Sequence, residues 1–299
     1  MKNRALPNPC AIGLGCVTFG REIDEATSVA MMDFATAQDI RLFDTAPAYA
    51  SGRSEEIVGQ WLASRRTDLP RPTVATKVLP PYTAAALNSS VAGSLQRLGV
   101  PQLDLLFLHR WHESLLNAEA YEALAELVQH GAVRALGLSN LDAPQLDAAL
   151  AFQIRVGSPR FEWVQNIHNF AVRGFDEAMR DRCRAAEIRM MGYSPLGAGF
   201  LTGKHRSGVV PGSRFEIIPG HQGVYFTPLA QQRLAHLEAV AKRHGCSPVD
   251  LALAWASHQP EISLVLVGGR TPEQISQILR AWTEHSRSLL SELEDRDNL

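Results

Sequence analysis

Lysine is scarce in this 299-residue chain: of 29 basic residues, only Lys2, Lys77, Lys204 and Lys242 are lysine. Each place where the ammonium is kept therefore draws attention. Cysteine is equally sparse. Cys10, Cys16, Cys183 and Cys246 lie far apart with no paired spacing, which argues against a disulfide framework and against a cysteine-based zinc site, and fits a reducing cytoplasm. The formal net charge of −2 gives no electrostatic case for nucleic acid or an anionic membrane as partner. No long apolar run is present. After Lys2 and Arg4 the first apolar stretch is broken by Pro7, Pro9, Gly13 and Gly15, so neither a signal peptide nor a membrane span is expected. No G-x-G-x-x-G follows an early strand, which argues against a Rossmann nucleotide site.

What the chain does have is 45% hydrophobic and 20% charged residues, the balance of a soluble globular protein with ample core. Short apolar runs predict strands at 11–17, 40–45, 73–78, 103–109, 133–139, 163–169, 188–194 and 262–268. Helix-period segments fall between them, at 25–38, 54–66, 83–99, 118–131, 143–153, 175–187, 228–245, 247–259 and 271–282. Asp24, Ser54, Thr83 and Thr271 read as helix starts, and Gly99, Gly131 and Gly245 as stops. Strand–helix alternation at this length favours closure into a (β/α)₈ TIM barrel, a parallel sheet with outer helices, as a single domain over 1–299. One connection breaks the rhythm: the glycine-rich stretch from Gly197 to Thr227, after the seventh strand, reads as a lid or cofactor clasp.

Polar residues at successive strand ends carry the chemistry. Strand two ends at Asp44, with Tyr49 beyond it; strand three ends near Lys77, and strand four at His109. Each has an ordinary reading alone: loop bonding for Asp44, solvation for Lys77, core packing for Tyr49 and His109. As a set they are a general acid–base centre. A lysine at a barrel mouth needs a counter-charge, which Asp44 can supply. The ammonium is expected to stabilise the phenolate and lower the tyrosine pKa from ~10, while the imidazole can orient a carbonyl oxygen or share the tyrosine's proton load. Such a site moves a proton to or from oxygen and needs a hydride donor from outside. Ser139, Asn140 and Gln165 suit a carboxamide, and Tyr193 a stacked nicotinamide ring. Lys204, Arg214 and the Gly268–Gly269–Arg270 stretch before the last helix suit phosphate.

The motifs FDTAPAYASGRSEEIVG, VATKV, LDLLFLH, VRALGLSN and YSPLGAGFLTGK together resemble those of the aldo-keto reductases, over nearly the whole chain. The likeness is to the branch that includes potassium-channel β subunits and many bacterial reductases. It implies that Tyr49 is the acid–base residue, that Lys77 and Asp44 tune it, and that His109 orients the carbonyl. It also implies a cofactor path through Gly15, Cys16, Ser139, Asn140, Gln165, Tyr193, Ser194, Pro195, Leu196, Gly197, Ala198, Gly199, Lys204, Arg214, Gly268, Arg270 and Gln274. NADP(H) is the favoured cofactor, with NAD(H) the alternative. Val17, Phe19, Trp111 and His112 are candidate substrate walls, Trp111 being equally readable as a packing residue.

Three departures from the family pattern stand out. A glycine usual after the tyrosine is Ala50, and a Glu-Asn pair usual near the adenine is Gln277 and Ile278. The segment from Thr283 to Leu299 is short and charged, so a long C-terminal substrate loop is not expected and the pocket should be open. The resulting expectation is an NAD(P)(H)-dependent oxidoreductase interconverting a small carbonyl compound and an alcohol. An NAD-preferring sugar or alcohol dehydrogenase, or a cofactor-binding regulatory subunit with little turnover, are the alternatives. Residue patterns here do not speak to oligomeric state.

Overall fold

A computed structural model describes residues 10–65, 70–283 and 287–294. Eight parallel strands pair in sequence order and close: β1 (Ala11–Gly15), β2 (Leu42–Asp44), β3 (Thr73–Val78), β4 (Leu105–Leu108), β5 (Leu136–Ser139), β6 (Phe161–Ile167), β7 (Arg189–Tyr193) and β8 (Ile262–Val267). The helices are α1 (Glu25–Ala37), α2 (Arg53–Ser64), α3 (Ala84–Leu98), α4 (Ala118–Gln129), α5 (Ala143–Val156) and α6 (Glu177–Ala185). They continue with α7 (Arg214–Ile217), α8 (Gln222–Tyr225), α9 (Pro228–His244), α10 (Pro248–Ser257), α11 (Pro272–Thr283) and α12 (Arg287–Leu293). The expected (β/α)₈ barrel is thus the observed one. No helix among the described residues is long and apolar enough to cross a membrane, and none of their His, Cys, Asp and Glu side chains group as a metal site.

Strand side chains alternate between two faces, and that parity builds the site. Leu42, Ala75, Leu105, Phe107, Met191, Leu264 and Leu266 form the buried barrel interior, with Ala135, Trp163 and Tyr193 packed on it. Two residues further along each strand, on the same face, come Asp44 after Leu42, Lys77 after Ala75, His109 after Phe107 and Gln165 after Trp163. The face that is apolar at the barrel floor is therefore polar at its mouth. Strand register keeps the polar layer level, with Gly15 beside Asp44 and Ser139 beside Gln165. The opposite parity packs outward against the helices in a larger apolar layer.

Local signals explain most helix ends. Asp24 and Thr83 cap α1 and α3 through their side chains, and Gly99 and Gly245 end α3 and α9 in the left-handed conformation. Asp142 and Gln145 form a reciprocal capping box on α5. Ser54 is a correction. It lies inside α2 rather than capping it, because Gly52 at φ 92° turns the chain and the Ser54 hydroxyl is taken by the Cys16 carbonyl and Thr45. Glu55, also buried, accepts from Thr76 and Arg97, tying the start of α2 to β3 beside Lys77.

The stretch after β7 contains helical turns rather than open coil, and it carries a core of its own. Phe215 packs on His205 at 4.8 Å and Phe226 at 4.9 Å, and Phe200 stacks on Tyr225 at 5.7 Å. At the other end of the chain α12 buries Leu289, Leu290 and Leu293. The remainder of the charged C-terminal segment, 284–286 and 295–299, and residues 1–9, on which the expected lack of a signal peptide rests, lie outside the described residues.

The barrel floor depends on a missing side chain. A Cβ on Gly137 would sit 2.4 Å from the Phe107 ring and 3.1 Å from the Trp163 carbonyl oxygen. Gly137→Ala is therefore expected to lower stability by about 1–3 kcal/mol, read as a lower urea midpoint. An unchanged midpoint would show that Phe107 can move aside.

Candidate active site

Lys77 sits 1% exposed beneath the barrel mouth, and its ammonium has three acceptors. It donates to Asp44 Oδ2 at 2.6 Å, to the Thr45 carbonyl at 3.0 Å and to the Tyr49 hydroxyl at 3.0 Å. Three donors are thus met by three oxygens, which is what a buried ammonium requires. Asp44 is held from its other side by Gln165, whose Nε2 donates to Oδ1 at 2.8 Å, and Gln165 also touches the Met191 sulfur. A continuous polar chain therefore runs from β6 through Asp44 and Lys77 to the phenol. The His109 ring meets the Tyr49 ring edge-on with centroids 6.0 Å apart.

The loop that delivers Tyr49 is conformationally unusual. Ala50, Ser51 and Gly52 all have positive φ, at 48°, 54° and 92°. An L-residue pays strain there that glycine does not, which explains physically why a glycine suits the position of Ala50. Asn140 and Ser194, at the exits of β5 and β7, share the same left-handed conformation. Strain of this kind collects at functional sites.

Protonation states follow from burial and neighbours. Burial favours neutral amine at Lys77, but Asp44 and Tyr49 outweigh it and its pKa lies above the usual lysine value. The expected lowering of the Tyr49 pKa is not found. Burial raises it, Asp44 adds to the rise, and the pull of Lys77 and Arg214 does not reverse it. Tyr49 is a protonated phenol whose oxygen accepts from Lys77, so its own hydrogen is free to be donated. Burial, with Lys77 and Arg110 adding to it, pushes His109 down to about 3, and its Nδ1 is buried without a partner among the described residues. The imidazole is therefore neutral and faces the phenol with one proton to place.

A cleft of about 1170 Å³ opens above these groups. Tyr49, Asp44 and His109 line one part of it, and Gly15, Val17, Asn140, Gln165 and Tyr193 the adjoining wall. Asn140 donates to the His109 carbonyl at 2.8 Å and accepts from the Tyr193 hydroxyl at 2.6 Å. Ser194, Pro195, Leu196, Ala198, Gly199 and Lys204 continue the lining, which reaches Gly268, Gly269, Arg270, Gln274, Gln277 and Ile278 at the start of α11. A Cβ on Gly268 would lie 3.4 Å from the Gly15 carbonyl, so the bare backbone there forms part of the groove. Gln274 accepts from the Arg270 amide at 2.7 Å, and the Arg270 side chain donates to the Gly212 carbonyl at 2.9 Å, bringing the clasp down to α11.

Several expected positions lie elsewhere. Cys16 and Phe19 are fully buried in the outer apolar layer, because the chain turns outward after β1; neither side chain lines the cleft. Trp111 packs partly against that layer, and His112 is exposed and caps a helical turn through its Nδ1; neither reaches the cleft. Ser139 and Gly197 lie behind the lining, Ser139 donating to the Gln165 carbonyl at 2.8 Å. Arg214, as expected, does line the cleft, and it pairs with Glu22 of the β1–α1 loop. The sequence reading missed Arg21, Glu22 and His221, all of which line the cleft. Their one signal was position: Arg21 and Glu22 follow the first strand's exit, where barrel loops form sites.

The Aldo/keto reductase family model matches residues 11–295. The chain belongs to the aldo/keto reductase family. The family is one of oxidoreductases, and the branch expected from the motifs is the one its relatives represent. Protein tas of Escherichia coli is 28% identical over 322 aligned positions, covering 95% of this chain and 92% of that protein. A putative voltage-gated potassium channel subunit beta of Schizosaccharomyces pombe is 29% identical over 287 positions, covering 89% and 82%. Among solved structures, an aldo/keto reductase from Klebsiella pneumoniae in complex with NADP and acetate superposes with a TM-score of 0.71 at 26% identity, covering 96% and 91%.

The depressed histidines make stability pH-dependent. His109 and His168 both have folded pKa values of about 3, each chiefly through burial, against ~6.5 when unfolded. The unfolded chain binds more protons between those values, so their contribution is complete above about pH 6.5 and is lost as pH falls towards 3. The urea midpoint should fall between pH 7 and pH 5, and the His109 ring should not titrate by NMR over that span. A titration near 6.5 would contradict the neutral assignment.

Proposed function

We propose that this protein is an NADP(H)-dependent reductase that interconverts an aldehyde or ketone with its alcohol, using Tyr49 as general acid and base. The observation that carries the reading is the three-way coordination of Lys77, which leaves a protonated phenol facing the cleft beside a neutral imidazole. The groove suits a nicotinamide nucleotide. Tyr193 offers a ring for the nicotinamide, Asn140 and Gln165 offer amide groups for its carboxamide, and glycine backbone with Lys204 and Arg270 suits phosphates. Bound there, such a nucleotide supplies the hydride.

The residues of the chain handle the oxygen. A carbonyl oxygen lodged between Tyr49 and His109 accepts hydrogen bonds from both, which polarises it. As negative charge grows on that oxygen, the phenol gives up its proton and the phenolate is held by Lys77 at close range. Asp44 keeps the ammonium charged and in place, and Gln165 fixes Asp44. In the oxidative direction the same phenolate takes the proton from the alcohol. The role of Asp44 is thus one of support, two hydrogen bonds removed from the Tyr49 hydroxyl.

NADP(H) is favoured over NAD(H) by Arg270, whose guanidinium stands just before α11 and, among the described residues, donates only to the Gly212 carbonyl, leaving donors for a 2′-phosphate. Gln277 and Ile278 at the far end of the cleft would meet the adenine in place of the usual acid and amide. The substrate is a small carbonyl compound or alcohol.

Steady-state oxidation of NADPH with a panel of aldehydes tests the assignment. Tyr49→Phe is expected to lower kcat/KM about 10²–10⁴-fold, and Asp44→Asn by less; equal rates for parent and Tyr49→Phe would overturn the role. Arg270→Ala should weaken NADP⁺ binding about tenfold or more and leave NAD⁺ binding nearly untouched. A loss shared by both nucleotides would remove Arg270 from the 2′-phosphate.

A further inference from the structure

Outside the cleft, three guanidiniums gather around a single carboxylate. Arg173 follows β6, Arg180 lies in α6 and Arg233 in α9, and the carboxylate is Glu294, the residue after α12. None of the four lines the cleft. The Phe170 and Trp255 rings frame the group, each centred 5.4 Å from the Arg173 guanidinium carbon. Arg173 Nη1 stands 3.7 Å from Glu294 Oε2, an ion pair too long to be a hydrogen bond. Arg180 Nη2 donates to Gln259 Oε1 at 3.2 Å, and Arg233 Nη1 to the Ala171 carbonyl at 3.0 Å.

The hydrogen bonds of Glu294 go to other partners. Trp255 Nε1 and Gln259 Nε2 both donate to its Oε1, the second at 3.4 Å. Four buried guanidinium nitrogens, Arg173 Nε and Nη2, Arg180 Nε and Arg233 Nε, have no acceptor among the described residues. Donors on charged groups are costly to bury without acceptors. Three cations to one anion also leave an excess of about +2 at neutral pH. Burial pushes all three guanidinium pKa values below the usual arginine value, and Glu294 is the carboxylate that pulls on each of them. Glu261 and Asp176 act on Arg180 as well, but Glu261 is paired with Arg184 and Asp176 caps α6.

A second carboxylate would bring one negative charge to this excess. A phosphate group brings three acceptor oxygens in a tetrahedral arrangement and, as a dianion, the matching charge. The way in is past Arg173 and Glu294, whose side chains are 26% and 45% exposed. We propose that Arg173, Arg180 and Arg233 form a second anion site, separate from the nucleotide groove, that binds a phosphate dianion in competition with Glu294. The site is independent of the role given to Tyr49. Leu289, Leu290 and Leu293 are buried, so α12 keeps its apolar anchor when Glu294 yields its place.

Calorimetry tests the site on the NADP⁺-saturated protein at about pH 8, where the phosphate group is dianionic, with chloride holding the ionic strength constant. Inorganic phosphate should bind the parent with a Kd of about 1 mM or below. Arg173→Gln and Arg233→Gln should each weaken it about tenfold, and Glu294→Gln should tighten it about tenfold by removing a like charge. Arg270→Ala, which alters the nucleotide groove, should leave it unchanged. Glycerol 3-phosphate in a parallel arm separates the sources: tighter binding than inorganic phosphate points to a phosphorylated metabolite, and equal binding to the free ion.

The absence of phosphate binding in both the parent and Glu294→Gln overturns the proposal. So does an affinity that is the same in the parent, Arg173→Gln and Arg233→Gln, or one lost on Arg270→Ala alone, which would place the ion in the nucleotide groove. Binding confined to Glu294→Gln upholds the site and makes Glu294 the stronger competitor, whereas equal affinity in Glu294→Gln and the parent overturns the competition. Should Arg173→Gln fail to fold, Arg233→Gln and Glu294→Gln decide the matter.

Discussion

An ammonium buried at the mouth of a barrel is the constraint on which the rest of the structure depends. Left unpaired, such a charge would cost several kcal/mol, so the surrounding chain supplies acceptors from three places. Asp44 comes from the neighbouring strand, the Thr45 carbonyl from the residue after it, and the Tyr49 hydroxyl from the loop beyond. Satisfying Lys77 fixes the position of the phenol. The left-handed run through Ala50, Ser51 and Gly52 is the conformational cost of bringing the tyrosine back over the lysine, and Ser54 and Glu55 anchor the helix that follows.

The same constraint shapes the electrostatics. With the ammonium saturated by three oxygens and the carboxylate close by, Tyr49 keeps its proton and His109 keeps none to spare. The polar layer holds a protonated phenol rather than a preformed phenolate. Its charges are nearly balanced within the lysine–aspartate pair. Further cationic side chains of the cleft, Arg21, Lys204, Arg214 and Arg270, stand on the first loop, on the clasp and before α11.

The barrel provides the geometry by parity. Small or apolar residues fill the floor, with Gly137 leaving room for Phe107, and polar residues two positions later on the same strands meet at one level. The clasp after β7 adds a roof that is glycine-rich at the cleft and aromatic underneath. Its chain can approach a ligand closely at Gly199 while Phe200, Phe215 and Tyr225 hold it to the body of the protein.

The eightfold alternation, the helix caps at Asp24 and Thr83, and the convergence of Asp44, Lys77 and His109 were all readable along the chain. Those features depend on period, on local hydrogen bonding, and on the order in which strands enter a parallel barrel. Which way a loop side chain points does not depend on them. Phe19 and Cys16 follow the first strand as closely as Arg21 does, yet the first two turn into the apolar layer and Arg21 lines the cleft. Arg214 was legible as a cation near the site, but its partner, Glu22, lies 192 positions away in sequence. The direction of the Tyr49 pKa was likewise out of reach, because burial and a charge pair oppose each other there and only the packed protein sets their balance.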